Sequence, residues 1–175
     1  VGGDNTYFLA WTTTPWTLPS NIALCVNANE DYAKVKQNDE YYILAEALIK
    51  NHFKENEFEL VETFKGKTLE FKKYEPLFNF VDAKTAEKGY YVTCDDYVTL
   101  TDGTGIVHIA PAFGEDDSLV GKKYNLPFVQ LVDKFGKFTS ECGKYAYQDV
   151  FSKNDEIVLD LAKENKVFKS QKHVH

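Results

Sequence analysis

Eleven consecutive residues, Trp11-Thr12-Thr13-Thr14-Pro15-Trp16-Thr17-Leu18-Pro19-Ser20-Asn21, hold both tryptophans of the chain, two of its five prolines and four threonines. Each proline fixes its own φ, removes a backbone donor and pushes the residue before it towards extended geometry. The stretch therefore predicts a stiff loop in place of a helix, and its hydroxyls make it a poor core segment. A stiff loop that displays hydroxyls and indoles has the character of a site, and the rest of the chain must be built from short elements around it.

Those elements are mostly strands. Residues 7–11 and 22–26 flank the loop as apolar strands, and residues 32–36 alternate apolar and polar in the manner of a half-exposed strand. With a turn at 37–40 and a strand at 41–44 this region resembles a meander. Further strands are expected at 58–64, 90–94, 98–100, 106–110 and 128–132. The run 106–110 is apolar nearly throughout apart from one histidine, which predicts a strand covered on both faces. Helices are expected at 46–54, at Glu115–Tyr124 with acids first and lysines last, and after residues 152–155, which cap a helix with Ile157, Val158, Leu161 and Ala162 at helical spacing. Tyr74-Glu75-Pro76-Leu77-Phe78 reads as an anchoring bend, residues 82–89 as loop and 167–175 as a final strand or extended exit. Short strands outnumbering helices predict a β-rich α+β fold, a closed or nearly closed barrel decorated by short helices.

Composition narrows the function. At 175 residues the chain suits one domain, and 43% hydrophobic residues exclude the signature of disorder. It begins at Val1-Gly2-Gly3 without any methionine, so it reads as a single domain, residues 1–175, cut from a longer protein. With no apolar run near the roughly 18 residues of a membrane span, it is expected to be soluble and cytoplasmic. All 20 basic residues are lysines against 27 acids, a net charge of −7. That argues against a module gripping duplex nucleic acid, which needs a basic face and usually arginines, and leaves at most a short end held locally. Cys25, Cys94 and Cys142 lie far apart with no C-x-x-C pair, so neither disulfides nor a zinc knuckle is indicated. His173 and His175 lack a third ligand nearby, and no metal site is expected. The phosphate-binding G-x-x-x-x-G-K-[ST] loop and the G-x-S-x-G elbow are both absent.

A second stretch complements the first. In residues 103–117, Gly-Thr-Gly-Ile-Val-His-Ile-Ala-Pro-Ala-Phe-Gly-Glu-Asp-Asp, a strand carrying His108 runs into a Pro111 and Gly114 turn that ends in three acids. Each residue has a plain explanation. A lone histidine among apolar residues is more often a satisfied core group, and acids at a helix start stabilise it by about 0.3–1 kcal/mol each. Threonines cap turns and tryptophans fill cores. Two rigid, polar segments in one small domain nevertheless point to a binding cleft.

In this order, about ninety residues apart, the two stretches resemble the signature segments of the editing domain inserted into isoleucyl-tRNA synthetase. Gly66 followed by Tyr74-Glu75-Pro76-Leu77-Phe78 resembles a third region of that family, and Lys172-His173-Val174-His175 resembles the return to the synthetic core. The related domains of the valine and leucine enzymes typically carry arginine in the first segment, whereas this chain has Thr-Thr-Thr-Pro-Trp-Thr, which favours the isoleucine member. The resemblance implies hydrolysis of the ester in Val-tRNA(Ile). One methylene is worth only about 1–3 kcal/mol to a pocket, a general figure for which this synthetase is the standard worked example, so a second, smaller site hydrolyses what the first admits wrongly.

The resemblance also implies roles. Asp117, with Asp116 beside it, holds the substrate's α-ammonium. Thr12, Thr13 and Thr14 line the pocket with Thr17, and Asn21 lies near the terminal adenosine or the water. His108 restricts the pocket so that isoleucine does not fit, and Trp11 walls it. No cofactor is implied for this domain, ATP and Mg belonging to the synthetic domain. The implied partners are the 3′ CCA end of tRNA(Ile) charged with valine and the rest of the synthetase, with no membrane and a monomeric domain. Two alternatives remain: a non-catalytic barrel that binds an amino-acid-like ligand or an RNA 3′ end, and an insertion whose editing has decayed.

Overall fold

The computed structural model describes residues 5–168, and the expected exit strand beyond 168 and the His173/His175 pair lie outside them. The β-rich mixed class holds, but the strands form two separate sheets and do not close into a barrel. In chain order they are β1 (Thr6–Phe8), β2 (Ala23–Val26), β3 (Asp31–Gln37), β4 (Glu40–Ala45), β5 (Glu59–Lys65), β6 (Tyr91–Cys94) and β7 (Val107–Ile109). The α-helices are α1 (Ile49–His52), α2 (Ala83–Ala86), α3 (Glu115–Tyr124) and α4 (Asn154–Lys163).

The first sheet has the order β1-β4-β3-β5 and the second β6-β2-β7. β3 and β4 form the expected hairpin, turning at Asn38 and Asp39, both at positive φ, residues that tolerate the left-handed conformation such turns need. The meander, however, breaks. β2 belongs to the other sheet, where it runs parallel to β6 and antiparallel to β7, and β1 runs parallel to β4. β2 is buried throughout, which suits the central strand of a covered sheet.

Three expected strands and one expected loop turn out differently. Residues 98–100 and 128–132 are irregular apart from a single bridge between Val132 and Phe138. Their short apolar runs are core anchors, with Val98, Val129 and Leu131 buried, and burial alone does not distinguish an anchor from a strand. Within β7 only Ile109 is buried, while Val107 and His108 are half-buried. Residues 83–86 are a short helix whose N-cap, Asp82, accepts from the Thr85 N–H. α3 spans the predicted residues and stops at Asn125, which adopts the left-handed cap conformation.

The opening segment joins the two sheets. β1 pairs with β4, the Leu9 N–H still reaches the Ile43 carbonyl (3.0 Å), and Trp11 then bridges to Val107 beside β7 with its N–H 3.3 Å from the Ile106 carbonyl. Residues Pro15–Ser20 form a 3-10 helix and not a loop, with Pro15 in its first turn, where no donor is needed. α4 holds this helix from outside, because the Asn154 side chain accepts the Trp16 N–H at 2.9 Å instead of capping its own helix. No helix among the described residues is long and apolar enough to cross a membrane.

Gly103 makes this junction possible. Its φ is +71°, and a Cβ there would lie 2.0 Å from Nε1 of Trp11. Gly105, at φ +77°, is as constrained, with a Cβ falling 2.6 Å from that of Ala45. Gly103→Ala combines an unfavourable backbone with overpacking against a rigid indole, so it is expected to cost about 2 kcal/mol or more in urea denaturation. A variant of wild-type stability would show that Trp11 does not pack on this turn.

Candidate active site

The two polar stretches meet. Trp11, Thr12, Thr13, Thr14 and Thr17 from the first, and Val107, His108, Phe113, Gly114 and Asp117 from the second, line one cleft of about 270 Å³. That is near the lower end of the range for ligand sites, roughly 300–1,000 Å³, so it accommodates a small group and the atoms beside it. A larger hollow lies between the β3–β4 turn and residues 56–59. It is open and polar, and none of the residues singled out by the sequence faces it.

On the first wall the threonines are held by one another. The Thr14 N–H donates to Thr12 Oγ1 (3.1 Å), and the Thr17 hydroxyl donates to the Thr14 carbonyl (2.8 Å), which also accepts the Thr17 N–H (3.0 Å). Thr13 and Thr14 are exposed, and Thr17 is buried. Trp16 leaves the cleft to meet Phe113 and Phe151 edge-on, at 5.2 and 5.3 Å between ring centroids.

His108 forms the floor, with both ring nitrogens engaged: Nε2 lies 2.9 Å from Thr17 Oγ1, and Nδ1 lies 3.3 Å from Asn21 Nδ2. Desolvation lowers its pKa from 6.5 to about 4, so the ring is neutral near pH 7. A neutral imidazole with both nitrogens occupied is a wall and not a general base.

Asp117 stands opposite, in the first turn of α3. One carboxylate oxygen accepts the Ala110 N–H at 2.9 Å. Burial raises its pKa above the ordinary 3.8, a rise opposed by the Ala110 hydrogen bond and reinforced by the charge of Asp116. Among the described residues no lysine or histidine forms an ion pair with it. The cleft thus presents a carboxylate without a countercharge, as a cationic ligand requires.

Two residues singled out by the sequence lie elsewhere. Asn21 is buried behind His108 and does not line the cleft. Asp116 is exposed on the outer side of α3 and also lies off the lining. Sequence reasoning gave no role to Val107, Phe113 and Gly114, which do line it. Their only signal was adjacency to His108 and Asp117. The three cysteines are buried, and desolvation pushes Cys25 to about 12 and Cys142 to about 11, with Cys94 also raised. None offers a thiolate. Among the described residues no three His, Cys, Asp or Glu side chains converge as a metal ion would need.

No family model matches the chain. It is 50% identical over 175 residues to the isoleucine–tRNA ligase of Clostridium acetobutylicum, a match covering 99% of this chain and 16% of that protein. It is 43% identical to the ligase of Petrotoga mobilis over 178 residues, covering 100% of this chain and 19% of the other. The ligase of Saccharolobus islandicus is 43% identical over 180 residues, with 99% and 17% covered. The chain therefore spans about one sixth of the length of these relatives. Among solved structures, GlLeuRS-CP1 superposes with a TM-score of 0.71 at 17% identity, covering 98% of this chain and 87% of that one. The editing domain of P. knowlesi cytosolic leucyl-tRNA synthetase gives 0.69 at 14% identity, covering 92% and 82%. At such identities these two establish the fold.

The pKa of His108 carries a consequence for stability. Between pH 6.5 and about 4 the unfolded chain binds a proton on this ring that the folded chain refuses. Stability therefore falls as the pH is lowered through that window, by about 1 kcal/mol at pH 5 once partial exposure is discounted. Asp117 acts in the opposite sense, since a raised carboxylate pKa favours the fold as pH drops towards 3.8. Replacing His108 by Gln isolates the histidine. The stability lost between pH 7 and pH 5 in urea titrations should shrink by about 1 kcal/mol, and an unchanged loss would mean that the folded ring titrates normally.

Proposed function

Because this chain belongs with the editing domains of isoleucyl-tRNA synthetases, we propose that it hydrolyses the aminoacyl ester of tRNA(Ile) mischarged with valine. The observation that carries the reading is the Asp117 carboxylate, without a countercharge and held by the Ala110 N–H, facing the threonines and His108 across a small cleft. An aminoacyl ester brings the missing α-ammonium, and the charge-assisted contact orients the carbonyl towards Thr12, Thr13 and Thr14.

In the reaction a water oxygen adds to the ester carbonyl carbon, and the bond from that carbon to the ribose oxygen breaks. Free valine and a ribose hydroxyl result, the proton of the water passing to the leaving oxygen. No side chain in the cleft is an activated nucleophile. The threonine hydroxyls serve to position water and to donate to the charge developing on the carbonyl oxygen, assisted by the neighbouring ribose hydroxyl, so the rate comes from orientation and local electrostatics. His108 and Trp11 bound the space left for the side chain, and one extra methylene is excluded at the floor. An acidic domain free of arginine fits a role in which only the unpaired 3′ CCA end enters, by stacking and local lysines, while the rest of the tRNA is held elsewhere in the synthetase.

Deacylation of Val-tRNA(Ile) beside Ile-tRNA(Ile) tests the reading. The chain should release valine and spare isoleucine, and equal release of both, or of neither, would overturn it. Asp117→Ala should slow release of valine about a hundredfold or more while thermal unfolding stays cooperative, and wild-type rates would remove Asp117 as the anchor. His108→Ala should open the floor and admit Ile-tRNA(Ile), whereas continued rejection would remove His108 as the size limit.

A further inference from the structure

Tyr74 lies outside the cleft, in the irregular segment after the 3-10 helix Gly66–Leu69. The chain pins it against β6: the Tyr74 N–H donates to the Tyr90 carbonyl at 3.0 Å, Lys73 bridges to Tyr91, and the Tyr74 and Tyr90 rings meet edge-on at 5.8 Å. Its hydroxyl turns inward and donates to Oδ1 of Asn21. Burial holds this phenol well above its ordinary pKa, so it remains a donor.

Two partners set the direction of the bonds beyond Asn21: the Tyr74 hydroxyl on its Oδ1, and the Ala23 carbonyl on its amide nitrogen. With Oδ1 accepting from Tyr74, the amide nitrogen of Asn21 faces the Ala23 carbonyl at 2.8 Å, a partner that can only accept. The remaining N–H of the amide points to Nδ1 of His108, with a longer approach to the Ile109 carbonyl at 3.5 Å. An amide nitrogen only donates, so Nδ1 must be bare and the single proton of the neutral ring must sit on Nε2. Nε2 then donates to Thr17 Oγ1, and the Thr17 hydroxyl donates onward to the Thr14 carbonyl. A flipped Asn21 would set two carbonyl oxygens against each other at Ala23 and reverse the chain.

We infer that Tyr74 is a positioning residue for the floor of the cleft: it holds Oδ1 of Asn21 while the Ala23 carbonyl takes the amide nitrogen, and through Asn21 the two keep the tautomer and ring orientation of His108, and with them the Thr17 hydroxyl. The specificity consequence rests on the reading of His108 as the limit on side-chain size. The tautomer consequence does not, so the two fail separately. Asn21 acts here from behind the floor, aligning the group that meets the ligand.

Tyr74→Phe removes the hydroxyl and keeps the ring that packs on Tyr90. Nitrogen–proton correlation spectra of the imidazole should show a single Nε2–H tautomer in the unaltered chain and a mixture with Nδ1–H in the variant. The ratio of Ile-tRNA to Val-tRNA deacylation should rise about five- to tenfold, as expected for the loss of one neutral hydrogen bond. A variant that keeps a pure Nε2–H tautomer overturns the inference, and so does an altered tautomer with an unchanged ratio in a chain where His108→Ala does admit Ile-tRNA(Ile). The unaltered chain gives a test independent of the variant's folding, since an Nδ1–H tautomer there rules out the hydrogen-bond order outright. If His108→Ala leaves discrimination intact, the size limit fails, and the tautomer measurement still decides the role of Tyr74.

Discussion

The hydrogen bond between His108 Nε2 and Thr17 Oγ1 joins the two stretches of chain that build the cleft, across 91 positions of sequence. On one side it fixes the 3-10 helix Pro15–Ser20, whose other face is held by the Asn154 side chain at the start of α4. On the other it fixes β7, whose outer edge is closed by Trp11. The edge-on contact of Trp16 with Phe113 is a second direct tie between the threonine wall and the acidic wall. A buried polar network of this kind is stabilising only when all its members are satisfied, and here each atom of Thr17, His108 and Asn21 that takes part has a partner.

The opposite wall is built on a different principle. Asp117 is left short of a countercharge, and its carboxylate is stabilised only by backbone N–H groups and the start of α3. The fold tolerates this because the group is partly open to the cleft. The floor beside it is neutral, since burial keeps the His108 imidazole uncharged near pH 7.

Much of the architecture was legible in the residues themselves. The β3–β4 hairpin follows from alternation on either side of a turn at 37–40, and α3 follows from its acids and its lysines. The pairing of residues 11–21 with residues 103–117 was legible from composition and from family resemblance. Less legible were the anchors at 98–100 and 128–132, because a short apolar run looks the same whether it pairs or merely buries. The barrel was expected because strand count does not reveal which strands pair, and β2 and β3, adjacent in sequence, entered different sheets.

The sequence by itself supplied the groups that line the cleft: a proline-stiffened run of threonines, one histidine among apolar neighbours and an acid at a helix start. These are local facts, set by backbone restriction and side-chain type. Only the tertiary structure decided that Asn21 stands behind His108 instead of lining the cleft, that Asp116 lies off the lining while Asp117 is part of it, and that Tyr74, 53 residues from Asn21, completes the hydrogen-bond chain. The reason is that hydrogen-bond direction depends on which groups meet. A side chain's type lists the bonds it can make, and the packing of distant strands selects the ones it does make.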